Sequence, residues 1–471
     1  MAFAERKESM STLHGQYGHN PLRQLYDEAN LPEKIRRSLS LILLGNLFGN
    51  LHGIICGGGT TAMIGLANQL QAGDFAFGVL NGIPQAAALL QIPFSMLVNR
   101  THKRKKYLLT FGMFSRALWL VFGFIPIIVP QQPAGLALWT LIFLLGISSC
   151  CSAAINVCWF PWLSDLAPLS IRGRWFSIRD AAVAACNLAF GLLVARMLDT
   201  LPVDTRYIII FLLGGTVGML DMLCFGFCEE VYSAPPRRLH FRNIIQDILR
   251  NKPFLRLVVM WTAWCFCSNM CGPYLARYSV NEMGLTFTQM MVFSTAASSI
   301  ATILVISRWG KALDHFGCRS VMLVAGFANS LADLFYLFST PVNVVPVLLR
   351  NFVGAMCWSG TNLAANSMQL SASPDESRPS YIAVFACVTS LAGTTLGTLT
   401  GGLLLESWQS AGWFTGSFDR FKALILLAVC LRLCVAVFLV PPLQNDREGT
   451  PRQLVQAVLN GLGHFRPSRK A

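Results

Sequence analysis

Stretches of about twenty apolar residues, bounded by charges, prolines or glycines, recur along the chain from near Leu41 to Val440. Wound as a helix rising about 1.5 Å per residue, each is long enough to cross a hydrocarbon layer of about 30 Å. This one feature demands a polytopic membrane protein. Charged residues make up 13% of the 471, against roughly 25% in soluble domains. An ordinary cytosolic enzyme, a disordered protein and a nucleic-acid binder are all excluded on that ground. The formal net charge of +14 then needs an explanation other than a polyanionic partner, and the placement of the charges supplies one.

The apolar runs predict twelve helices, at 41–64, 74–98, 107–129, 136–163, 178–198, 206–228, 254–276, 288–308, 319–339, 343–370, 380–405 and 420–440. Between the sixth and seventh lies the longest hydrophilic connection, with Pro235, Pro236, Arg237, Arg238, Arg242, Arg250 and Lys252. The expected organisation is therefore an N-terminal segment 1–40, a six-helix bundle 41–228, an interdomain loop 229–253, a second bundle 254–440 and a tail 441–471. Residues 1–40 are polar and the first apolar run is too long for a signal h-region, so that run is read as a retained span. With the N-terminus in the cytoplasm, 29 of the 37 Lys and Arg fall on cytoplasmic segments. Five fall outside (Arg196, Arg206, Arg277, Arg420, Lys422) and three within spans (Arg116, Arg350, Arg432). That is the positive-inside pattern. It places both termini in the cytoplasm and makes the basic excess topological.

The halves repeat each other. Gly310-Lys311-x2-Asp314-x2-Gly317-x-Arg319, between helices 8 and 9, aligns with Asn99 to Lys106, between helices 2 and 3, at a shift of 215 residues. Pro168-x3-Arg172-Gly173-Arg174 aligns with Pro374-x3-Arg378 at a shift of 206, which also places Asn156 on Asn362. Two related six-helix halves mark a repeat-built transporter. The loop containing Gly310, Lys311, Asp314, Gly317 and Arg319 resembles the loop motif of the major facilitator superfamily, and the Arg172-Gly173-Arg174 turn is common there too. The resemblance extends over all twelve helices. It implies a charged latch on the cytoplasmic side, formed by Asp314 and Arg319 with Gly310 and Gly317 shaping the loop, which helps to hold the outward-open state. In the first-half copy Asn99 replaces the acid and His102 the glycine, which weakens the latch there.

The resemblance also implies that helices 1, 4, 7 and 10 line a central cavity. Each carries a polar stripe at helical spacing, and polar side chains in a span normally face the bundle interior or a wet cavity. The expected solute-binding residues are Asn50, His52, Asn156, Trp159, Trp264, Asn269, Arg350, Trp358 and Asn362. Amides suit hydroxyls and an indole face covers an apolar ring, so a sugar- or nucleoside-like solute fits, neutral or anionic. Small and amide residues also pack helices without binding anything, and Gly49, Gly53 and Gly354 are read that way. Arg350, about seven residues into helix 10 or ~10 Å deep, is expected to have an anion, a substrate carboxylate or phosphate being one source; a cluster of carbonyls or snorkelling to the outer headgroups are the alternatives. The remaining in-span charges predict two structural ion pairs, Arg116–Asp221 and Asp333–Arg432. Asp165 and His52 are the proton-carrier candidates; H+ or Na+ coupling, exchange and facilitated diffusion all remain open.

The reading is an all-α, twelve-helix secondary transporter in a bacterial inner membrane. It is expected to act as a monomer in the lipid bilayer on a small-molecule substrate, by alternating access, with no cofactor, no metal and no nucleic-acid partner. The alternatives are a multidrug or metabolite exporter of the same fold, an integral membrane enzyme and a non-transporting sensor. An enzyme would need a His/Asp or metal cluster at the bilayer edge, whereas His102, His240 and His315 are scattered in basic loops. Fourteen of the fifteen cysteines lie in or beside apolar runs. Cys265, Cys267 and Cys271 have no fourth ligand in a zinc-type pattern, so core packing is their expected role. No G-x4-G-K-[ST] phosphate loop occurs.

Overall fold

A computed structural model describes residues 26–27, 31–101, 103–129, 135–166, 169–230, 247–374, 378–414, 416, 418–443 and 450–459. These residues are helical throughout their regular parts, with no strand among them. The first half comprises α1 (Glu33–Ile55), α2 (Asp74–Val98), α3 (Arg104–Phe122), α4 (Leu136–Leu166), α5 (Leu169–Thr200) and α6 (Val203–Gly226). The second begins with α7 (Lys252–Asn281) and the stretch Phe287–Phe338, which Gly317 divides into α8 and α9. It ends with α10 (Val345–Ala372), α11 (Ser380–Ser410) and α12 (Arg420–Phe438).

Nine helical stretches among the described residues are long and apolar enough to cross a membrane. One of them, Phe287–Phe338 at 52 residues, contains predicted helices 8 and 9 together. The two predicted spans outside the nine, α3 and α10, both carry polar cargo: Arg104, Lys105, Lys106 and Arg116 in one, Arg350, Asn351, Asn362 and Asn366 in the other. The fold is thus consistent with twelve spans.

Helix ends follow local chemistry. Pro32 precedes α1, which starts at Glu33 rather than at 41 because its first turns are amphipathic and need no lipid. It stops at Ile55, ahead of Gly57-Gly58-Gly59, and a short helix Thr61–Gln69 follows with Thr60 accepting from the Met63 N–H. Asn251 caps α7 through the Phe254 N–H, and Asp419 caps α12 through the Lys422 N–H. Pro84 lies within α2, where the backbone tightens into a 3-10 turn at Ala88–Leu90. Where a loop is predicted between helices 8 and 9, α8 continues up to a kink at Gly317 and α9 follows it directly, on to Ala332. Only Gly317 leaves helical geometry, at φ 81° and ψ 164°.

The apolar core explains the shape. Toward the face bearing the α1–α2 and α7–α8 connections, one buried cluster runs across both halves, joining Phe77, Leu80 and Phe211 to Met270, Tyr274 and Leu405. Toward the face of the Lys103–Lys106 and Lys311–Arg319 loops, the basic face, the core separates in two. One cluster belongs to the first half (Leu39, Trp162, Trp175, Phe225) and one to the second (Phe254, Trp264, Val321, Tyr381). The principal contacts between halves, α2 with α11 and the end of α5 with the start of α8, lie at the first of these faces. The halves are packed together at one face, and their cores part toward the other.

Candidate functional site

The joined face is held by charge as well as by apolar packing. Asp74, in the first turn of α2, is 2% exposed. Its carboxylate meets Arg277 of α7 at 3.1 Å and Arg420 of α12 at 3.4 Å. Arg277 also donates to the Ala72 carbonyl at 2.6 Å. Beside this clamp, the Asp199 carboxylate at the end of α5 accepts the Phe287 and Thr288 N–H groups, each at 2.9 Å, where α8 begins. The first-turn N–H groups of a helix have no intrahelical acceptor, so an acid from the opposite half completes that helix end. Asn68 and Asn281 join the halves at 2.8 Å, and Glu406 accepts the Phe75 N–H at 3.2 Å.

Within the first half, α1 to α4 border a partly open cavity of about 170 Å³ lined by His52, Gln91, Arg116, Ser149, Ser152 and Asn156, among others. Arg116 Nη2, half-buried, lies 3.6 Å from Oδ2 of the buried Asp221. The His52 ring meets the Gly214 carbonyl at 2.8 Å and stands edge-on to Trp119. Ser115, Ser148 and the Trp119 indole form a short network between α3 and α4, with Ser148 Oγ accepting the indole N–H at 2.9 Å. Ser148 therefore packs α4 against α3.

In the second half the charges group differently. Asp333, at the end of α9, is paired with Arg432 of α12 and accepts from Arg350 Nε of α10 at 2.7 Å. The anion beside Arg350 is this chain's own carboxylate. A second cavity, of about 280 Å³, lies between the halves and takes Arg350, Asn351, Ser279, Thr295, Tyr336 and Thr61 into its wall.

The expected binding residues divide by location. Asn156 and Asn362 are exposed on α4 and α10, and Trp358, 41% exposed, stacks on Trp261 of α7 with ring centres 6.1 Å apart. Asn50 instead donates to the Val183 carbonyl of α5, and Asn269 to Cys265 of its own helix. Trp159 is half-buried with the Arg179 guanidinium 5.7 Å from its ring centre. Trp264 corrects the expectation of a wall position: it is fully buried in the second-half core, where Gly326 leaves room for its ring. Asp314 is exposed and Arg319 half-buried, and no ion pair joins them among the described residues; an added Cβ at Gly310 would meet only open space. The side chains of Asp165, Asn99 and Arg172, and all of His102, lie outside the described residues. Among the described residues no cluster of three His, Cys, Asp or Glu could hold a metal.

The sequence profile of the Major Facilitator Superfamily matches residues 47–309 and 293–469. The chain belongs to this superfamily. Two solved facilitator structures have the same fold. A crystal structure of the nucleoside transporter NupG superposes with a TM-score of 0.66 at 12% identity, covering 86% of this chain and 99% of that one. The inward-open xylose transporter XylE from E. coli gives 0.61 at 14%, covering 89% and 98%. The uncharacterised symporter YjmB of Bacillus subtilis (strain 168) is 25% identical over 253 residues, 50% of this chain. The match spans about half the length of that relative, 53%. In this facilitator Asp74, Arg277 and Arg420 are clamp residues that the sequence pattern does not single out. The available signal was that Arg277 and Arg420 are two of only five basic residues assigned to the outer side.

Proposed function

We propose that this facilitator is a secondary transporter that moves a small polar organic solute by alternating access, with binding and release and no bond-making step. The observation that supports this best is the asymmetry of its packing: one shared core and a buried Asp74–Arg277–Arg420 clamp at one face, two separate cores at the other. By the positive-inside rule the basic face is cytoplasmic, so the structure is read as inward-facing, in a bacterial inner membrane with both termini inside. An unlatched Asp314–Arg319 loop accords with that state. Asn156, Asn362 and Trp358 are the proposed solute contacts, since amides exposed within a span belong against water and not lipid. His52 and Arg116 close the first-half side of the path. Coupling to a cation is supported by the symporter name that YjmB carries, with His52 and Asp165 as the proposed proton groups.

The test is uptake of labelled sugars, nucleosides and small organic carboxylates into proteoliposomes, with and without a pH gradient. Saturable uptake above protein-free vesicles is expected, and Asn362→Ala raises KM by about three- to tenfold, the worth of one hydrogen bond. If no solute crosses above the protein-free background, the transporter reading fails.

A further inference from the structure

We infer that the Arg350 cavity is an anion-binding subsite, and that the transported solute carries a single carboxylate. This deepens the transporter reading and rests on it. Two guanidinium groups, Arg350 and Arg432, converge on one carboxylate, Asp333. The group therefore keeps one uncompensated positive charge inside the membrane, where an unpaired charge is costly and calls for a counter-ion. Arg432 is buried, whereas the Arg350 side chain is 26% exposed and borders the 280 Å³ cavity. Nε of Arg350 donates to Asp333 and Nη1 to Asn351 Oδ1 at 3.2 Å. A guanidinium has five N–H groups, and Nη2 of Arg350 has no acceptor among the described residues. The Nη1/Nη2 edge is the edge that binds a carboxylate through two parallel hydrogen bonds.

The repeat argues that this third charge is not there for the fold. The first half builds its pair, Arg116 with Asp221, from one cation and one anion. At the 206-residue shift, Leu144 stands where Arg350 stands. The size of the cavity fits an organic anion better than a lone inorganic ion, since one water takes up only about 30 Å³ in the liquid. One excess charge matches a monoanion. Because Gly59, Thr61 and Ile64 come from the first half and the remaining wall from the second, rocking of the halves would assemble and dismantle the subsite with each cycle.

The experiment compares three carboxylates with their primary amides: gluconate with gluconamide, nicotinate with nicotinamide, lactate with lactamide. Binding is read from the solute-induced Tm shift of the purified full chain, and transport from proteoliposome uptake. At least one acid is expected to bind about tenfold more tightly than its amide. Arg350→Gln removes that preference while leaving the Asp333–Arg432 pair and the solute-free Tm in place, and Arg350→Lys gives an intermediate preference. Equal binding of acids and amides, no Tm shift with any acid, or a preference that survives in Arg350→Gln overturns the inference. Uptake of amides without acids would leave the transporter reading standing and sink this one. Acid binding without any uptake would leave the anion subsite standing and sink the transporter reading.

Discussion

At Gly49 an added Cβ would lie 2.8 Å from Asp221 Oδ2, and at Gly45 one would lie 3.3 Å from Asp221 Oδ1. The carboxylate that neutralises Arg116 thus fits against α1 only because these positions lack side chains. Four residues on, at Gly53, a Cβ would meet nothing within 4 Å. Gly49→Ala is expected to destabilise the protein in detergent by about 1–3 kcal/mol, the usual range for overpacking. Gly53→Ala should stay within about 0.5 kcal/mol of wild type. Unfolding curves of the two variants side by side check this, and equal shifts would remove the steric argument. Asp221 and Arg116 could be matched in sequence because in-span charges are few and their depths agree. The rotation of a helix about its own axis is harder to read. Depth in the span marks Arg350 but not that Asp333 serves two arginines, and spacing along α7 does not separate Trp264, packed over Gly326, from Trp261, stacked on Trp358.

The junction of α8 and α9 at Gly317, within Phe287–Phe338, is the place that departs most from expectation. Charged residues 311 to 319 read as a loop, yet helix persists on both sides and a single residue makes the break. Gly317 sits at φ 81° and ψ 164°, a region essentially closed to residues with a Cβ. Gly317→Ala is therefore expected to cost about 1–3 kcal/mol. Gly310→Ala, in the same loop motif but with open space around its Cβ position, should be neutral or slightly stabilising through higher helix propensity. Thermal unfolding of both variants separates a conformational demand for glycine from a general sensitivity of the loop. Apolar runs set span positions well because the bilayer imposes one length on all of them. They locate helix ends poorly where a helix continues beyond the lipid on polar residues, as α1 does from Glu33 and α5 from Leu169.

For the whole molecule the decisive contacts join residues more than 200 positions apart, Asp74 to Arg277 and Arg420, and nothing local in the sequence marks them. Each lies near a span end, where a charge is ordinary. Their significance comes from the meeting of two halves, which puts Asp74 out of water between two guanidinium groups. Removing one member of a buried ion pair costs about 3–5 kcal/mol, because the partner charge stays buried and unmatched. In Asp74→Asn that cost falls on the joined-face state alone, since the clamp exists only when the halves meet there. A conformational equilibrium shifts by a factor of ten for every 1.4 kcal/mol or so, so the variant should populate the state open at this face. Spin labels at Ile128 in the first half and Val342 in the second, both exposed at that face, would report it in a cysteine-free background. The expected result is a new, longer-distance population in Asp74→Asn that is absent with the clamp intact. Identical distance distributions would mean that apolar packing of Phe77, Leu80, Tyr274 and Leu405 holds the face closed without help from charge.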